Sequence, residues 1–123
     1  MCSSDLRLHR ERDGQRVPCV VFTKGGGLWL EDLAVCGADA LGLDWTIDIG
    51  AARTQVGDQV ALQGNLDPLA LIAGGEALDS AVDRILAAFT ARPHIFNLGH
   101  GILPETPVEN VKACVEIVRE FKL

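Results

Sequence analysis

Four short apolar runs, each closed by glycine or turn residues and followed by helical spacing, organise residues 17–123. Val17–Phe22 is valine-rich and continuous, with Pro18 near its start, where a missing N–H is tolerable. Such a run suits a parallel strand buried on both faces. Gly25-Gly26-Gly27 ends it, and Leu30, Leu33 and Ala34 recur at helical spacing within Leu28–Cys36. Gly37 suits the left-handed position that closes a helix. Asp39–Asp44 is the second expected strand, with Thr46 placed to cap a helix running to Val56 and stopped by Gly57. Gln59–Gln63 is the third. Turn-rich Asn65-Leu66-Asp67-Pro68 follows, and then a helix over Glu76–Thr90, with Leu78, Val82, Ile85 and Phe89 on one stripe. His94–Leu98 is the fourth strand. Thr106, Pro107 and Glu109 read as a capping box with proline at the first helical position. The helix it opens would bury Val111, Val115, Val118 and Phe121.

Strands that alternate with helices predict the α/β class, with a parallel sheet and right-handed crossovers. Periodicity leaves open whether this is a doubly wound sheet or part of a (β/α)8 barrel. No GxGxxG follows a strand, so a dinucleotide fold lacks its mark. The glycine run is not a Walker loop, which needs GxxxxGK[ST]. Residues 7–16 read as the polar end of a helix and its exit turn. Met1–Leu6 fit nothing that follows. Back-translated, Met-Cys-Ser-Ser-Asp-Leu can be written GTG TGC TCT TCC GAT CTN, similar to the tail of a sequencing adapter. Residues 1–6 are therefore expected to be a non-native artefact, and 7–123 a single domain.

At 48% hydrophobic and 23% charged, the chain has enough apolar material for a core. No apolar stretch approaches the roughly 20 residues of a membrane span, and none follows Met1 as a signal peptide would require. The net charge of −6 argues against a nucleic-acid groove. Cys2, Cys19, Cys36 and Cys114 form no CxxC pair. The last three fall in strand-like or helix-like runs and read as small buried apolar residues. No disulfide is needed, which fits a reducing cytoplasm.

In a barrel, functional groups gather at the C-terminal ends of the strands. Those ends hold Thr23, Lys24 and three glycines, then Asp44 and Trp45, then Asn65 and Asp67, then Asn97 and His100. His100 lies between Gly99 and Gly101, whose bare backbone lets the chain turn tightly and approach a ligand while the imidazole projects. That imidazole can donate to a carboxylate or shuttle a proton; the alternative is a turn histidine bonded to a neighbouring carbonyl. Lys24 either faces an anionic substrate or is solvated. Asp44 and Asp67 form a carboxylate pair only if the fold brings them together; otherwise Asp44 binds loop backbone and Asp67 caps the turn before Pro68. Trp45 is expected to pack under a loop, and His9 and His94 to be structural or solvated. No His/Cys/Asp set has zinc spacing.

Four segments, FTKGGG (22–27), ALGLDW (40–45), VALQGNLDP (60–68) and FNLGHGILPETPVENV (96–111), together resemble the uroporphyrinogen decarboxylase family across residues 17–123. The resemblance implies the C-terminal half of a (β/α)8 TIM barrel, about its last four βα units, within a protein several times longer. It implies a carboxy-lyase of haem and tetrapyrrole biosynthesis. The reaction removes the carboxylates of the four acetate side chains of uroporphyrinogen III, giving coproporphyrinogen III. No metal or organic cofactor is involved; the pyrrole, protonated at a ring carbon, is the electron sink. The family's substrate-contacting histidine maps to His100. Its pyrrole-binding aspartate and its arginines fall outside these motifs, so no catalytic residue is assigned within the chain. Implied partners are the tetrapyrrole substrate and product and, for the whole protein, a second copy; nucleic acid and membrane are not. Corrinoid and coenzyme M methyltransferases share the barrel and the GNLDP and PxEN patterns. Their zinc ligands sit in His-x-Cys and GCG segments, where this chain has Thr23-Lys24-Gly25 and Gly99-His100-Gly101. A remaining alternative is an inactive half-barrel that binds without turnover, exposing two strand edges.

Overall fold

All four expected strands form, each shorter than its apolar run. The computed structural model describes residues 9–56, 58–89 and 92–122. The expectations for residues 1–6, the helix stop at Gly57 and the helix end at Thr90 lie outside them. The elements are β1 (Val20–Phe22), a 3-10 turn (Gly26–Trp29), α1 (Leu30–Ala34), β2 (Ala40–Gly42), α2 (Ile49–Val56) and β3 (Ala61–Gln63). Then come α3 (Pro68–Ala73), α4 (Gly75–Ala87), β4 (His94–Ile95) and α5 (Val108–Glu120).

The strands pair in the order β1-β2-β3-β4, all parallel. A doubly wound sheet reverses its strand order at a switch point; here chain order and spatial order coincide, as in successive units of a barrel. Backbone bonds carry the ladder past the strand ends. The Leu43 N–H donates to Gln63 O at 2.8 Å, Gly64 N–H to Ile95 O at 3.0 Å, and Leu66 N–H to Asn97 O at 3.1 Å.

Pleating divides the sheet into two faces. Val21, Leu41 and Leu62 are in register, and Leu41 and Leu62 are buried with Leu30, Val56, Leu71, Leu78, Val82 and Ile85 from the helices. Phe22, Gly42, Gln63 and Ile95 form the adjacent row. Phe22 and Ile95 are each 46% exposed, so the helices leave this face open. In a closed barrel that side is the interior.

Local contacts account for the departures from sequence expectation. Residues 9–16 contain no helix. They form a tight hairpin, with a His9–Arg16 bridge, Arg10 and Gln15 bonded, and Gly14 at φ 69°. Thr46 does not cap α2, because its N–H and hydroxyl both donate to Asp44. Asp48 caps instead, accepting the Ala51 N–H at 2.7 Å. The expected turn after Asn65 contains α3: Pro68 opens it, and the Asp67 carboxylate accepts the Leu69 N–H at 2.8 Å. The capping box at Thr106 does not form. Its hydroxyl donates to Leu103 O at 2.7 Å, and α5 starts after Pro107 without a side-chain cap. Cys36 and Cys114 are buried as expected and Cys19 is half-buried; none of the three is in a disulfide among the described residues. No helix among the described residues is long and apolar enough to cross a membrane.

Candidate functional site

All four polar strand mouths lie at one end of the sheet, and two of their charged residues are committed to holding loops. Asp44 follows β2 and is 1% exposed. Its carboxylate accepts the Gly25 N–H, the Thr46 N–H at 2.8 Å and the Thr46 hydroxyl. Burial pushes its pKa up, but these donors and the Lys24 charge outweigh burial and hold it below the usual carboxylate value. Gly25, at φ 73°, turns the β1 loop so that its N–H meets that carboxylate. The glycine run therefore pins the loop after β1 to the loop after β2. Asn65 is buried and completes the brace: its Nδ2 donates to Asp44 O at 2.9 Å and to Ile47 O at 2.6 Å. Asp44 binds loop backbone and Asp67 caps α3, so both have a local structural partner.

His100 is placed by backbone contacts. The Gly99 N–H donates to Leu66 O at 2.8 Å. A Cβ on Gly99 would lie 2.3 Å from Trp45 N and 2.6 Å from its Cα, so only glycine lets the loop after β4 seat on the loop after β2. The chain bends at Gly99-His100, as the flanking glycines led one to expect, but the close approach it allows is to protein backbone. Neither has positive φ; Gly99 is needed for protein packing, and Gly101 has open space where its Cβ would stand.

The imidazole of His100 is exposed and borders two depressions. The first, of about 470 Å³, lies over the open sheet face, lined by Phe22, Gly42, Gln63, Asn97, His100 and Ile102 among others. The second, of about 290 Å³, brings Lys24, Trp45, Asp67, Leu69, His100 and Leu103 together. Lys24 and His100, remote in sequence, thus share one wall. Trp45 is 46% exposed at this rim, so it does not pack under a loop. Asn97 uses its Oδ1 to accept the Leu98 N–H at 2.8 Å.

His94 takes no part in this rim. It stacks on Phe89 at 3.8 Å between ring centroids, and its Nε2 bonds Gly64 O at 2.8 Å. Burial lowers its pKa, helped by the Arg53 charge and opposed by the Gly64 carbonyl. Among the described residues, no three His, Cys, Asp or Glu side chains gather as a metal site. One structural residue escaped the sequence reading. Asn110 donates to Leu71 O at 3.0 Å and Ile72 O at 2.9 Å, closing the end of α3. A polar amide inside an otherwise apolar helical stripe was the available signal.

Residues 6–121 match the family model described as uroporphyrinogen decarboxylase (URO-D). Curated relatives named uroporphyrinogen decarboxylase include one from Aromatoleum aromaticum, 59% identical over 114 residues, covering 92% of this chain and 32% of that protein. Another, from Pseudomonas fluorescens, is 58% identical over 115 residues, covering 93% of this chain and 32% of the relative. The chain thus spans about a third of the length of the curated relatives it matches. A solved methyltransferase from Methanosarcina mazei superposes with a TM-score of 0.75 at 26% identity, covering 88% of this chain and 32% of that one.

Proposed function

Because this chain belongs to the uroporphyrinogen decarboxylase family, we propose that it is the C-terminal part of a cofactor-free decarboxylase acting on the acetate side chains of uroporphyrinogen, with residues 7–123 as the domain part concerned. The placement of His100 carries this reading. The imidazole stands at the C-terminal mouths of parallel strands, beside an open sheet face with Phe22, Gly42 and Ile102 in its lining, against which the pyrrole rings of the non-planar porphyrinogen would lie. Each acetate decarboxylated releases one CO₂ and consumes one proton as CH₂–COO⁻ becomes CH₃. His100 can hold a substrate carboxylate or relay that proton. The part of the barrel outside this chain would supply the remaining cationic contacts for the substrate and complete the wall. A cytoplasmic homodimer is the form expected of the whole enzyme.

A zinc-dependent methyl transfer, the chemistry of the methyltransferases that share this barrel, is disfavoured by the side chains themselves. The loops after β1 and β4 present Thr23-Lys24-Gly25 and Gly99-His100-Gly101 where that chemistry has His-x-Cys and Gly-Cys-Gly, so Gly25 and His100 stand at the two thiolate positions.

The test joins residues 9–122 to the complementary part of the Aromatoleum aromaticum relative and follows coproporphyrinogen formation from uroporphyrinogen. Turnover is expected, with a loss of about tenfold or more in kcat/KM for His100→Asn. A folded chimera without turnover, or one indifferent to His100→Asn, would overturn the reading.

A further inference from the structure

We propose that Lys24 and His100 form a two-point subsite for one carboxylate side chain of the substrate, in the depression between the loops after β1 and β4. The proposal rests on the decarboxylase reading for the substrate class and adds a specificity-determining residue to it. Both side chains line the same depression of about 290 Å³. Lys24 makes no ion pair among the described residues. Its charge acts on the buried Asp44 carboxylate, which already accepts three hydrogen bonds from other groups. The ammonium can therefore take a further anionic partner at the open side.

Trp45 and Leu69 supply apolar walls for the methylene stem of such a side chain, while Gly101 leaves its backbone uncovered. Asp67 also lines the depression, and it sets the selectivity. Its Oδ1 accepts the Leu69 N–H, and a carboxylate there repels a further acidic group. One carboxylate can be paired by Lys24 and His100; a second in the same depression would meet Asp67. The subsite therefore accepts a single acidic side chain. Lys24→Met and Asp67→Asn should act in opposite directions, since asparagine keeps the helix cap while removing the repulsion.

In the active chimera, Lys24→Met should raise KM for uroporphyrinogen about five-fold with kcat retained. Lys24→Arg should restore it, and Asp67→Asn should lower it. A second readout uses the unjoined chain. Trp29→Phe leaves Trp45 as its single indole, and quenching by uroporphyrin, the stable octacarboxylic porphyrin, reports occupancy beside Lys24. The apparent Kd should weaken about five-fold for Lys24→Met, and the loss should shrink in high salt. An inactive chimera would count against the decarboxylase reading alone, because the quenching assay still judges the subsite. Unchanged KM and unchanged quenching in Lys24→Met, or no quenching in the parent, would overturn the subsite.

Discussion

His94 shows how packing, and not sequence position, sets a proton. Its ring lies flat on Phe89 and bonds the Gly64 carbonyl, a bond the neutral ring can make by placing its proton on Nε2. Burial, with Arg53 nearby, lowers its folded pKa beneath the ordinary 6.5. A depressed folded pKa means that the unfolded chain binds the proton first, so the stability contribution is complete above pH 6.5 and is lost as pH falls through the folded value. The Tm should therefore drop as pH is lowered from neutrality into this window, and His94→Gln should flatten that slope. Asp39 and Asp44 do not obscure it, because their pKa values lie below the ordinary 3.8 and act in stronger acid. Equal slopes in the variant and the parent, measured by calorimetry across the window, would refute the assignment.

Among the elements, α3 depends most on a partner. Six residues are too few to hold a helix by themselves. Pro68 and the Asp67 cap start it, and Asn110 of α5 binds two carbonyls at its end. Gly74 makes that contact sterically feasible, since a Cβ there would lie 2.7 Å from the Asn110 side chain. Asn110→Ala strands those two acceptors and should cost about 1–3 kcal/mol. Hydrogen exchange should speed up first in α3 and the start of α4, ahead of β2 and β3. Uniform acceleration across the sheet would instead show that α3 and the core open as one unit.

For the whole molecule the open sheet face is decisive. Val20, Phe22 and Ile95 are each close to half exposed on the side away from the helices, and β1 and β4 each have one edge without a strand partner among the described residues. Apolar surface beside free strand edges favours association. By itself the chain should self-associate at high micromolar concentration. Lys at both Val20 and Ile95 should shift sedimentation velocity toward monomer with little loss of Tm, because neither side chain is in the core. A parent chain that stays monomeric would show that the face is adequately solvated.

Strand order and site assembly were legible in the sequence to different degrees. Period and turn chemistry depend on residues near one another along the chain. The four strands, the stripe of Leu78, Val82, Ile85 and Phe89, and the polar residues at each strand mouth could therefore be read directly. The motif set also identified the family, through identities that need no coordinates. Helix starts were less secure where two acceptors compete for one donor: Thr46 turned to Asp44, and Thr106 to Leu103. Pairing decided the rest. Periodicity left doubly wound and barrel arrangements open; the family resemblance implied the barrel, and the unreversed β1-β2-β3-β4 order agrees with it. The sequence marked Lys24, Asp44, Asn65, Asp67 and His100 as polar mouth residues, offered loop backbone to Asp44 and a turn cap to Asp67, and set His100 apart through the family resemblance. Register and loop contact between distant segments then gave Asp44 and Asn65 to the brace, left Asp67 as both cap and rim residue, and set Lys24 beside His100. Such neighbours are fixed by where strands pair and how closely Gly99 approaches Trp45, and no local pattern encodes those distances.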